Sequence, residues 1–576
     1  MGLRMLDKAA VARALREIGA LLEVKGENPF KVRAYATGAR ALEEAVGGLE
    51  ELVAHKRLTE LRGIGEALAK KITELHLTGH TALLDRLRGE LPTGLLELLE
   101  LPDLGPRKVA ALYAALKVGS LAELEAACRA GLVQRVPGFG AKTEERLLEA
   151  LLLRARRRPQ LLLPDALTLA EELSAHLGGE PLALAGSARR MAEVVEELVL
   201  LASTERKAPL AADLAAFRPG AEVLEASGAG SRVRLPGGFE VRLHGAPREA
   251  RAAALHHLTG SEGHCRKVRA LARERGYHLT PHGLFRQGGG EPLPLEGEGE
   301  LYARAGLPLI PPELREDAGE IEAALAGELP ADLVREEDVR GFVHCHTSWS
   351  DGRATLLEMA LAADALGAEY LTVTDHSRSA AYAGGLSVDR LKAQWEEIAK
   401  VQERVRVRLL RGTEADITED GALDYPDAVL EALEVVVASV HSRHRMGERE
   451  MTERLVRAMR LPIFKIWGHA RGRLLLEREP FACRLEEVLD ALAGSRGAVE
   501  VNGDPKRLEL DPAGLRLARA RGIPVVLSVD AHATSALTYL RFAVATARRG
   551  GVRRGEVLNA LPHQAFLKAV RPAASP

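Results

Sequence analysis

The 576-residue chain lacks several features that would point to particular protein classes. Its four cysteines are widely scattered and form no Cys-x-x-Cys pair, which argues against a disulfide scaffold and for a reducing compartment. No apolar run reaches the roughly 18 residues of a membrane span, and no signal-type segment follows Met1. The formal net charge of −2 neither supports nor excludes nucleic-acid binding. We therefore expect a cytoplasmic protein.

Length and periodicity predict several domains, because 576 residues exceed what one core organises. Residues 1 to about 158 have apolar positions every three or four residues, which predicts helices. Three short stretches interrupt this helical pattern, and a helical run follows each of them. These stretches are residues 61–65, 101–105 and 136–140.

The three stretches share a hydrophobic-Gly-hydrophobic-Gly pattern and resemble the helix-hairpin-helix motif. Glycine lets a backbone approach phosphates closely, and amides at the next helix start can donate to them. The resemblance implies a sequence-independent grip on DNA, although helix C-caps also use glycine and solvated helix faces also carry basic residues. Asp103 replaces the first glycine of the middle copy. The candidate DNA contacts are Gly63, Gly65, Lys70, Gly105, Arg107, Lys108, Gly138, Gly140 and Lys142.

The sequence pattern in the middle of the chain predicts an α+β region followed by a connector. A helical pattern covers residues 165–177, and strand-like runs lie at 182–185, 198–201, 232–235 and 240–243. Residues 287–338 are rich in glycine and proline, a composition typical of connectors.

From Val343 onward, apolar or β-branched runs alternate with helical ones. Strands that alternate with helices predict parallel β/α units, and six or seven of them indicate a closed or nearly closed barrel. The predicted strands are residues 370–374, 405–410, 435–440, 463–467, 499–501 and 525–529.

Nine potential metal ligands lie at the ends of these runs. They are His344, His346, Asp351, His376, Glu414, His441, His469, Asp530 and His532. Imidazole and carboxylate together suit zinc or manganese, and strand ends are where barrels gather their chemistry. Any one such histidine could be a capping or surface residue, but nine on successive strands favour a metal site. Asp375 precedes His376 and points to the opposite strand face, so we interpret it as structural.

The segments 344–347 with 350–352, 374–376, 412–414, 439–441, 468–469 and 530–532 resemble the ordered motifs of the PHP (polymerase and histidinol phosphatase) domain. The resemblance implies a distorted β/α barrel with up to three manganese or zinc ions, and catalytic roles for Glu414 and Asp530. Arg378, Arg443 and Arg473 are candidate contacts to a substrate phosphate, and a role as salt-bridge partners is the alternative for each. The resemblance implies three ion sites. The first would be formed by His344, His346, Glu414 and Asp530, the second by Asp351, His376 and His532, and the third by Glu414, His441 and His469.

The amino half resembles family X DNA polymerases. Residues 28–35 and 63–65 resemble the amino-terminal domain, in which eukaryotic members carry a Schiff-base lysine at the position of Lys71. Lys71 is therefore a candidate lyase residue, and an ordinary helical lysine is the alternative. The nucleotide-binding motif is matched by Gly186, Ser187 and Arg190, and its sugar-contacting turn by Gly260 and Ser261. With the PHP motifs, nearly the whole chain resembles bacterial and archaeal PolX.

The chain departs from that family where DNA synthesis would need three aspartates around two magnesium ions. The aspartate pair falls on Glu197 and Val199, and the third position falls on Glu240. Valine cannot bind a metal, and the extra methylene of glutamate would displace magnesium by about an ångström, which can cost roughly a hundredfold in rate. We therefore expect no firm Mg²⁺ or Mn²⁺ site there and weak or lost polymerase activity.

These patterns predict a multidomain chain with an all-α helix-hairpin-helix region, a central α+β region and a distorted β/α barrel. The predicted domains are 1–95 (lyase-type, with the first hairpin), 96–160 (fingers-like hairpins), 161–290 (palm and thumb), 291–337 (linker) and 338–576 (PHP metallophosphoesterase).

We expect a monomeric, nucleoid-associated DNA repair protein. Its barrel would be a metal-dependent 3′–5′ exonuclease that acts on gapped or primer-template duplex. There are three alternatives: a small-molecule phosphatase of the histidinol-phosphate type, a DNA-binding scaffold without catalysis, and an active gap-filling polymerase that uses Glu197 and Glu240.

Overall fold

The computed structural model describes residues 8–44, 49–61, 63–92, 94–99, 101, 104–156, 159–177, 182–203, 210–227 and 230–572. Contacts divide the chain into two compact units, residues 1–158 and 159–576. The predicted boundaries at residues 95, 160 and 337 remain predictions.

The first unit is helical, as its periodicity predicts. The apolar positions Ile72 and Leu75 are fully buried, since their spacing puts both on one face of their helix. One apolar cluster gathers around Leu15 and Ile18, and a second around Val109 and Leu124. The helices are α1 (Lys8–Val24), α2 (Pro29–Glu44), α3 (Leu49–Ala54), α4 (Glu66–Thr78), α5 (Ala82–Glu90), α6 (Leu95–Leu98), α7 (Pro106–Leu116), α8 (Leu121–Arg129) and α9 (Ala141–Arg156).

The second unit begins with a mixed five-stranded sheet, here called the central sheet. The elements are β1 (Leu161–Leu162), α10 (Leu163–His176), β2 (Ala183–Leu184), α11 (Gly186–Arg189), β3 (Val194–Val195), β4 (Glu197–Ser203), α12 (Leu210–Ala216), β5 (Glu222–Ser227), β6 (Gly230–Arg234) and β7 (Glu240–Ala246). The sheet has the order β2-β4-β7-β6-β5, and only β4 and β7 pair in parallel. The sequence did not reveal β5 because that edge strand is largely exposed and shows no apolar alternation.

Residues 251–326 form the thumb-like region. Its elements are α13 (Arg251–Thr259), α14 (Glu262–Glu274), β8 (Tyr277–Thr280), β9 (Gly283–Arg286), α15 (Glu298–Arg304) and α16 (Glu320–Ala326). Much of the stretch predicted as a linker is therefore packed structure. Tyr302, Ile310 and Ile321 are buried in one apolar cluster with Val268 and Leu279, so the glycines and prolines mark turns between packed elements.

The barrel prediction is confirmed. Seven parallel strands follow one another in chain order: β10 (Gly341–Cys345), β11 (Tyr370–Val373), β12 (Arg408–Asp416), β13 (Val435–Ser439), β14 (Lys465–Trp467), β15 (Gly497–Asn502) and β16 (Val525–Ser528). A parallel bridge between Cys345 and Ala531 joins the first strand to the segment after the last. The helices are α17 (Leu356–Ala365), α18 (Val388–Gln402), α19 (Asp427–Glu431), α20 (Glu448–Met459), α21 (Leu485–Ala493), α22 (Pro512–Ala520), α23 (Leu540–Arg549) and α24 (His563–Val570).

The barrel packs directly on the central sheet. Leu508 and Phe542 of the barrel are buried in the same apolar cluster as Leu198 and Val241 of the sheet. Arg473 of the barrel donates to Glu193, 3.0 Å away. The barrel and the sheet therefore form one folded unit. Among the described residues, no helix is both long enough and apolar enough to cross a membrane.

Candidate functional site

All nine candidate ligands meet at the carboxyl end of the barrel. This follows from the parallel topology, because the ends of neighbouring parallel strands face the same side. His344 is inside β10 and Glu414 inside β12, whereas His376, His441, His469 and Asp530 follow strands closely. The predicted position of Glu414 after its strand was therefore wrong, since β12 extends to Asp416 and carries the carboxylate on its inner face.

One group of atoms surrounds a point between β10, β12 and the segment after β16. The Nε2 atom of His344 lies 3.4 Å from Glu414 Oε1 and 3.6 Å from Asp530 Oδ1. The Nε2 atom of His346 lies 3.6 Å from Glu414 Oε2 and 3.4 Å from Asp530 Oδ1. Ligands on a tetrahedral zinc ion stand roughly 3.4 Å apart, since each bond is about 2.0–2.2 Å. The spacing fits a divalent ion.

A second group lies toward the outside of the barrel mouth. Asp351 Oδ2 is 3.5 Å from His376 Nε2, and Asp351 Oδ1 is 3.4 Å from His532 Nε2. His346 also belongs to this group, which the motif resemblance did not imply. Its ring lies 4.2 Å from that of His532, centroid to centroid.

A third group centres on the other side of Glu414. His441 Nε2 is 3.1 Å and His469 Nε2 2.7 Å from Glu414 Oε1. His376 approaches Glu414 Oε2 at 2.9 Å and groups with Glu414 and His441, while His469 also groups with His344 and Asp530. Glu414 thus contacts every group by its two oxygens, as a bridging carboxylate would.

The chemistry of the donors fits metal ions. Several buried ring nitrogens in the site have no hydrogen-bond partner among the described residues: His344 Nε2, both ring nitrogens of His346, and His469 Nδ1. Buried polar atoms are rarely left unpaired, so such a concentration of ring nitrogens is what a metal-binding site would present. The centre opens to solvent at Asp351 and His532, whose side chains are 34% and 37% exposed.

Backbone strain concentrates on the same residues. His344, His469 and Asp530 have φ values of 65°, 23° and 46°, a region that side-chain-bearing residues rarely adopt. Gly468 is required before His469, because a Cβ there would lie 2.3 Å from Ser439 Oγ. Strain of this kind persists where the surrounding fold enforces a functional geometry.

Three buried groups orient the candidate ligands, and sequence reasoning missed them. Glu500 accepts a hydrogen bond from His344 Nδ1 at 2.5 Å and another from the backbone N–H of His469. Asp416 lies 2.6 Å from His441 Nδ1, and Asn502 donates to Asp530 at 3.1 Å. Such partners fix which ring nitrogen faces the metal. Glu500 and Asn502 occupy alternate positions of β15, so inward-facing polar residues in an apolar strand were the available signal.

The carboxylates raise the pKa of several histidines. Burial opposes protonation, but Glu414 and Asp351 outweigh it and raise the pKa of His376 to about 10. Glu414 with Asp416 raises the pKa of His441 to about 9, and Asp351 with Asp530 does the same for His532, again against burial. Burial and the neighbouring His532 instead lower the pKa of His346 to about 3. Without metal, the centre therefore holds protons that a metal ion would displace.

Asp375 has the structural role inferred from its strand face. Its carboxylate accepts from Thr347 N at 2.8 Å, from Thr347 Oγ1 at 2.7 Å and from Gln394 at 2.6 Å. These bonds fix the turn that carries Asp351.

The arginines near the centre differ in availability. Arg473 donates hydrogen bonds to Glu193 and to the carbonyl oxygen of Arg507, so it helps to hold the barrel on the central sheet. Arg443 is exposed and paired with Glu419 at 2.7 Å, and Arg378 is exposed. Arg507 lies closest to the ligands, with Nε 3.2 Å from Asp530 Oδ2. It follows Asn502 in the β15 loop, and no motif singled it out.

In the polymerase-like site, ion pairs occupy two of the positions at which family X polymerases would carry metal-binding aspartates. Glu197 and Glu240 face each other in register on β4 and β7. Arg242 donates to Glu197 at 2.9 Å, and Arg234 donates to Glu240 at 3.1 Å. Val199 is 5% exposed. Within the part of the chain that the structure describes, potential metal-ligand groups occur in the barrel and not on this sheet.

The nucleotide-motif residues are likewise engaged. Arg190 donates to Glu316 at 2.9 Å and to the carbonyl of Thr259 at 2.7 Å. Gly186 begins α11 with φ of 64°, and Ser187 follows it. Gly260 ends α13, and Ser261 caps α14 by accepting from His264 N. These contacts tie the central sheet to the thumb-like region.

The predicted hairpins are present in the first unit, each ahead of a helix. Gly63 and Gly65 precede α4, Gly105 precedes α7, and Gly138 and Gly140 precede α9. A Cβ at Gly65, Gly105, Gly138 or Gly140 would meet no described atom within 4 Å. Side-chain packing therefore does not require these glycines, although the φ of 90° at Gly138 by itself favours glycine. The open space leaves room for a phosphate to approach the backbone closely. Asp103 lies outside the described residues.

The basic candidates lie in the helices that follow these glycines: Lys70 in α4, Arg107 and Lys108 in α7, and Lys142 in α9. Lys70 and Lys142 are exposed, Arg107 is 85% exposed and 3.4 Å from Glu23, and Lys108 lies over the Phe139 ring at 5.7 Å. Lys71 is half-buried in α4, and its lyase role remains a prediction.

Family models match three parts of the chain. A helix-hairpin-helix domain model matches residues 7–81, a SAM-like helix-hairpin-helix tandem matches residues 95–151, and a DNA polymerase beta thumb matches residues 254–316. These matches confirm the predicted hairpin region and the polymerase-like centre of the fold.

Known relatives match both the whole chain and the barrel. The Bacillus subtilis (strain 168) protein named DNA polymerase/3′-5′ exonuclease PolX is 35% identical over 575 residues, covering 98% of this chain and 100% of that protein. A probable phosphatase of Caldanaerobacter subterraneus subsp. tengcongensis is 26% identical over 202 residues, covering 33% of this chain and 74% of that protein. A crystal structure of Leishmania infantum polymerase beta in a ternary complex is 18% identical, with a TM-score of 0.25, and covers 39% of this chain and 98% of that one. By its identity along the full length, the chain belongs to the bacterial PolX family.

Proposed function

We propose that this chain is a DNA repair protein whose working centre is the barrel, a manganese- or zinc-dependent phosphodiesterase that removes nucleotides from 3′ ends. The observation that carries the proposal is the convergence of nine imidazole and carboxylate ligands around Glu414, with unpaired ring nitrogens, in a chain that also has hairpins for gripping DNA. The printed name of the Bacillus subtilis relative, which includes a 3′-5′ exonuclease, supports the same reaction.

The residues of the centre suit a phosphodiester. Glu414, Asp530 and Asp351 supply the negative charge of the ligand set, and the histidines bind as neutral imidazoles. Divalent ions held there would supply Lewis acidity and acidify a water for attack on phosphorus. Glu500 and Asp416 keep His344 and His441 turned toward the centre, so the ligand geometry is set before substrate arrives.

The hairpins favour DNA over a small phosphate ester. The open space beside Gly65, Gly105, Gly138 and Gly140 suits approach by a phosphate backbone, which a small-molecule phosphatase does not need. The probable phosphatases that match the barrel share only that part of the chain. We therefore assign a polynucleotide substrate.

We further propose that DNA synthesis is weak or absent. Glu197 and Glu240 each bind an arginine of their own sheet, so a metal ion would have to displace a cation already in place. A buried valine also occupies one aspartate position. These features favour a structural role for the central sheet, which would hold DNA and pack against the barrel.

Retained gap filling is the second candidate, because the Bacillus subtilis relative's name includes DNA polymerase and its similarity covers the whole chain. Nucleotide incorporation that is lost in both Glu197→Ala and Glu240→Ala would favour it.

The test of the nuclease uses His344→Ala and Asp530→Ala on a labelled primer-template with manganese. We expect the wild-type protein to shorten the primer and both variants to lose that activity. His563→Ala is the matched control, since His563 packs against Tyr370 at the opposite end of the barrel. Undiminished shortening by both variants would contradict the proposal.

A further inference from the structure

An exposed tyrosine stands at the mouth of the metal centre. Tyr382 is 72% exposed, the most exposed of the large apolar side chains of the barrel, followed by Leu366 at 56%. Its ring centroid lies 6.2 Å from that of His376 and 6.3 Å from that of His441. Both histidines group with Glu414. The ring therefore borders the centre and presents a free face to whatever binds there.

The segment that carries Tyr382 is firmly held although the ring is exposed. Tyr382 is the middle residue of a short 3-10 turn, Ala381–Ala383, between the buried residues Ala380 and Ala383. Ser377 donates to Asp424 at 2.8 Å, which ties down the start of the segment. The end is fixed by Leu386, whose backbone N–H donates to the carbonyl of His376 at 2.8 Å.

Close packing leaves this turn little freedom to move. A Cβ at Gly385 would lie 2.0 Å from the carbonyl oxygen of Ser377. Arg390 donates to the carbonyl of Gly384 at 2.7 Å and also to that of Trp349, beside the turn that carries Asp351. Because the backbone is fixed, the tyrosine side chain has only two torsions to lose when a flat partner stacks on its ring.

The substrate proposed for this centre carries such a partner. A phosphodiester at the ligands places the base of its nucleoside one sugar away, at the rim of the site. Every base has a π-face, so stacking on an aromatic side chain tolerates any sequence. A base inside a duplex already stacks and pairs, and taking it out is costly, least so for a mismatched or frayed one.

We infer that Tyr382 stacks on the base of the 3′-terminal nucleotide and makes the barrel favour a 3′ end that carries a base over one that lacks it. This inference rests on the proposed nuclease function. Tyr382 is a specificity-determining residue because it contacts the base and not the phosphodiester that is cut.

The experiment compares two labelled oligothymidylates with manganese, one ending in a normal nucleotide and one ending in a tetrahydrofuran abasic residue. Wild-type protein should favour the base-bearing end by about 5- to 150-fold in kcat/KM. Tyr382→Ala should lose that preference by slowing on the base-bearing end alone. Tyr382→Phe should retain it, since the ring remains. Leu366→Ala, an exposed apolar change on the opposite end of the barrel, should match wild type on both.

The outcomes separate this inference from the function beneath it. An active wild-type enzyme with equal rates on both ends would overturn the stacking role and leave the nuclease standing. The same holds if Tyr382→Ala slows both substrates equally, or if Tyr382→Phe is as impaired as Tyr382→Ala. Wild-type protein inert on both substrates would overturn the proposed nuclease, and the stacking role with it. Equal manganese content in all variants checks that the centre itself is unchanged.

Discussion

Glu500 contacts the metal centre only by way of other residues, so changing it to glutamine tests whether the orientation of the ligands matters. The carboxylate is fully buried in β15. It accepts from His344 Nδ1 at 2.5 Å and from the backbone N–H of His469. Burial opposes its ionisation, but His344 outweighs this and holds the pKa of Glu500 below its usual value, so the group is an anion at neutral pH.

The size of the effect follows from the charge that is lost. Hydrogen bonds to charged groups contribute about 1.5–3 kcal/mol, which corresponds to about 10- to 150-fold in an equilibrium constant. Changes to the partners of metal-binding histidines typically cost about 10- to 100-fold in metal affinity or activity. Glu500→Gln should therefore weaken manganese binding by about 10- to 100-fold while the barrel stays folded, because the two side chains have nearly the same shape.

Manganese affinity measured by titration calorimetry on metal-stripped protein would reveal this loss. Glu487→Gln is the matched control, since Glu487 is an exposed glutamate paired with Arg484 at 3.0 Å and should change the affinity less than twofold. An unchanged affinity in Glu500→Gln, with near-native circular dichroism, would refute the claim that Glu500 orients His344.

Three further predictions concern protons, packing and DNA. Manganese binding at pH 8 should release protons, because the pKa values of His376, His441 and His532 lie near 10, 9 and 9 without metal. The affinity for manganese should therefore rise with pH toward 9. Calorimetry in buffers of different ionisation enthalpy measures the number of protons released. Gly468→Ala should destabilise the protein by about 1–3 kcal/mol in urea unfolding, whereas Gly555→Ala, where a Cβ meets no described atom, should change it little. Lys108→Ala and Lys142→Ala should each weaken binding to duplexes of any sequence and reduce the salt slope by about one, while Lys392→Ala on the exposed face of α18 should not.

That the nine candidate ligands meet in one place could be predicted from sequence, because parallel β/α topology converts order along the chain into proximity. Each ligand lies within or soon after an apolar run, and the carboxyl ends of such strands meet at one barrel mouth. The hairpins could be predicted for a similar reason, since two glycines and a helix start form a local signal. Neither inference needed knowledge of tertiary contacts.

The remainder depended on packing that the local sequence does not specify. An acidic residue in an apolar strand marks Glu500 as unusual, but its role in orienting His344 follows only from the distance between the two side chains. The glycine- and proline-rich composition of residues 291–337 predicted a linker, whereas Tyr302 and Ile310 lie in a packed apolar cluster. Likewise, the sequence shows that the aspartates are missing but not that arginines of the same sheet pair with Glu197 and Glu240.

The most direct test of the barrel as the working centre compares synthesis and degradation by one preparation on a gapped duplex, with magnesium, manganese or zinc and all four nucleotides. We expect shortening of the 3′ end that depends on manganese or zinc and disappears in His344→Ala, with weak or no extension in either protein. Extension of the primer by wild type and His344→Ala alike, without shortening under any condition, would contradict this expectation.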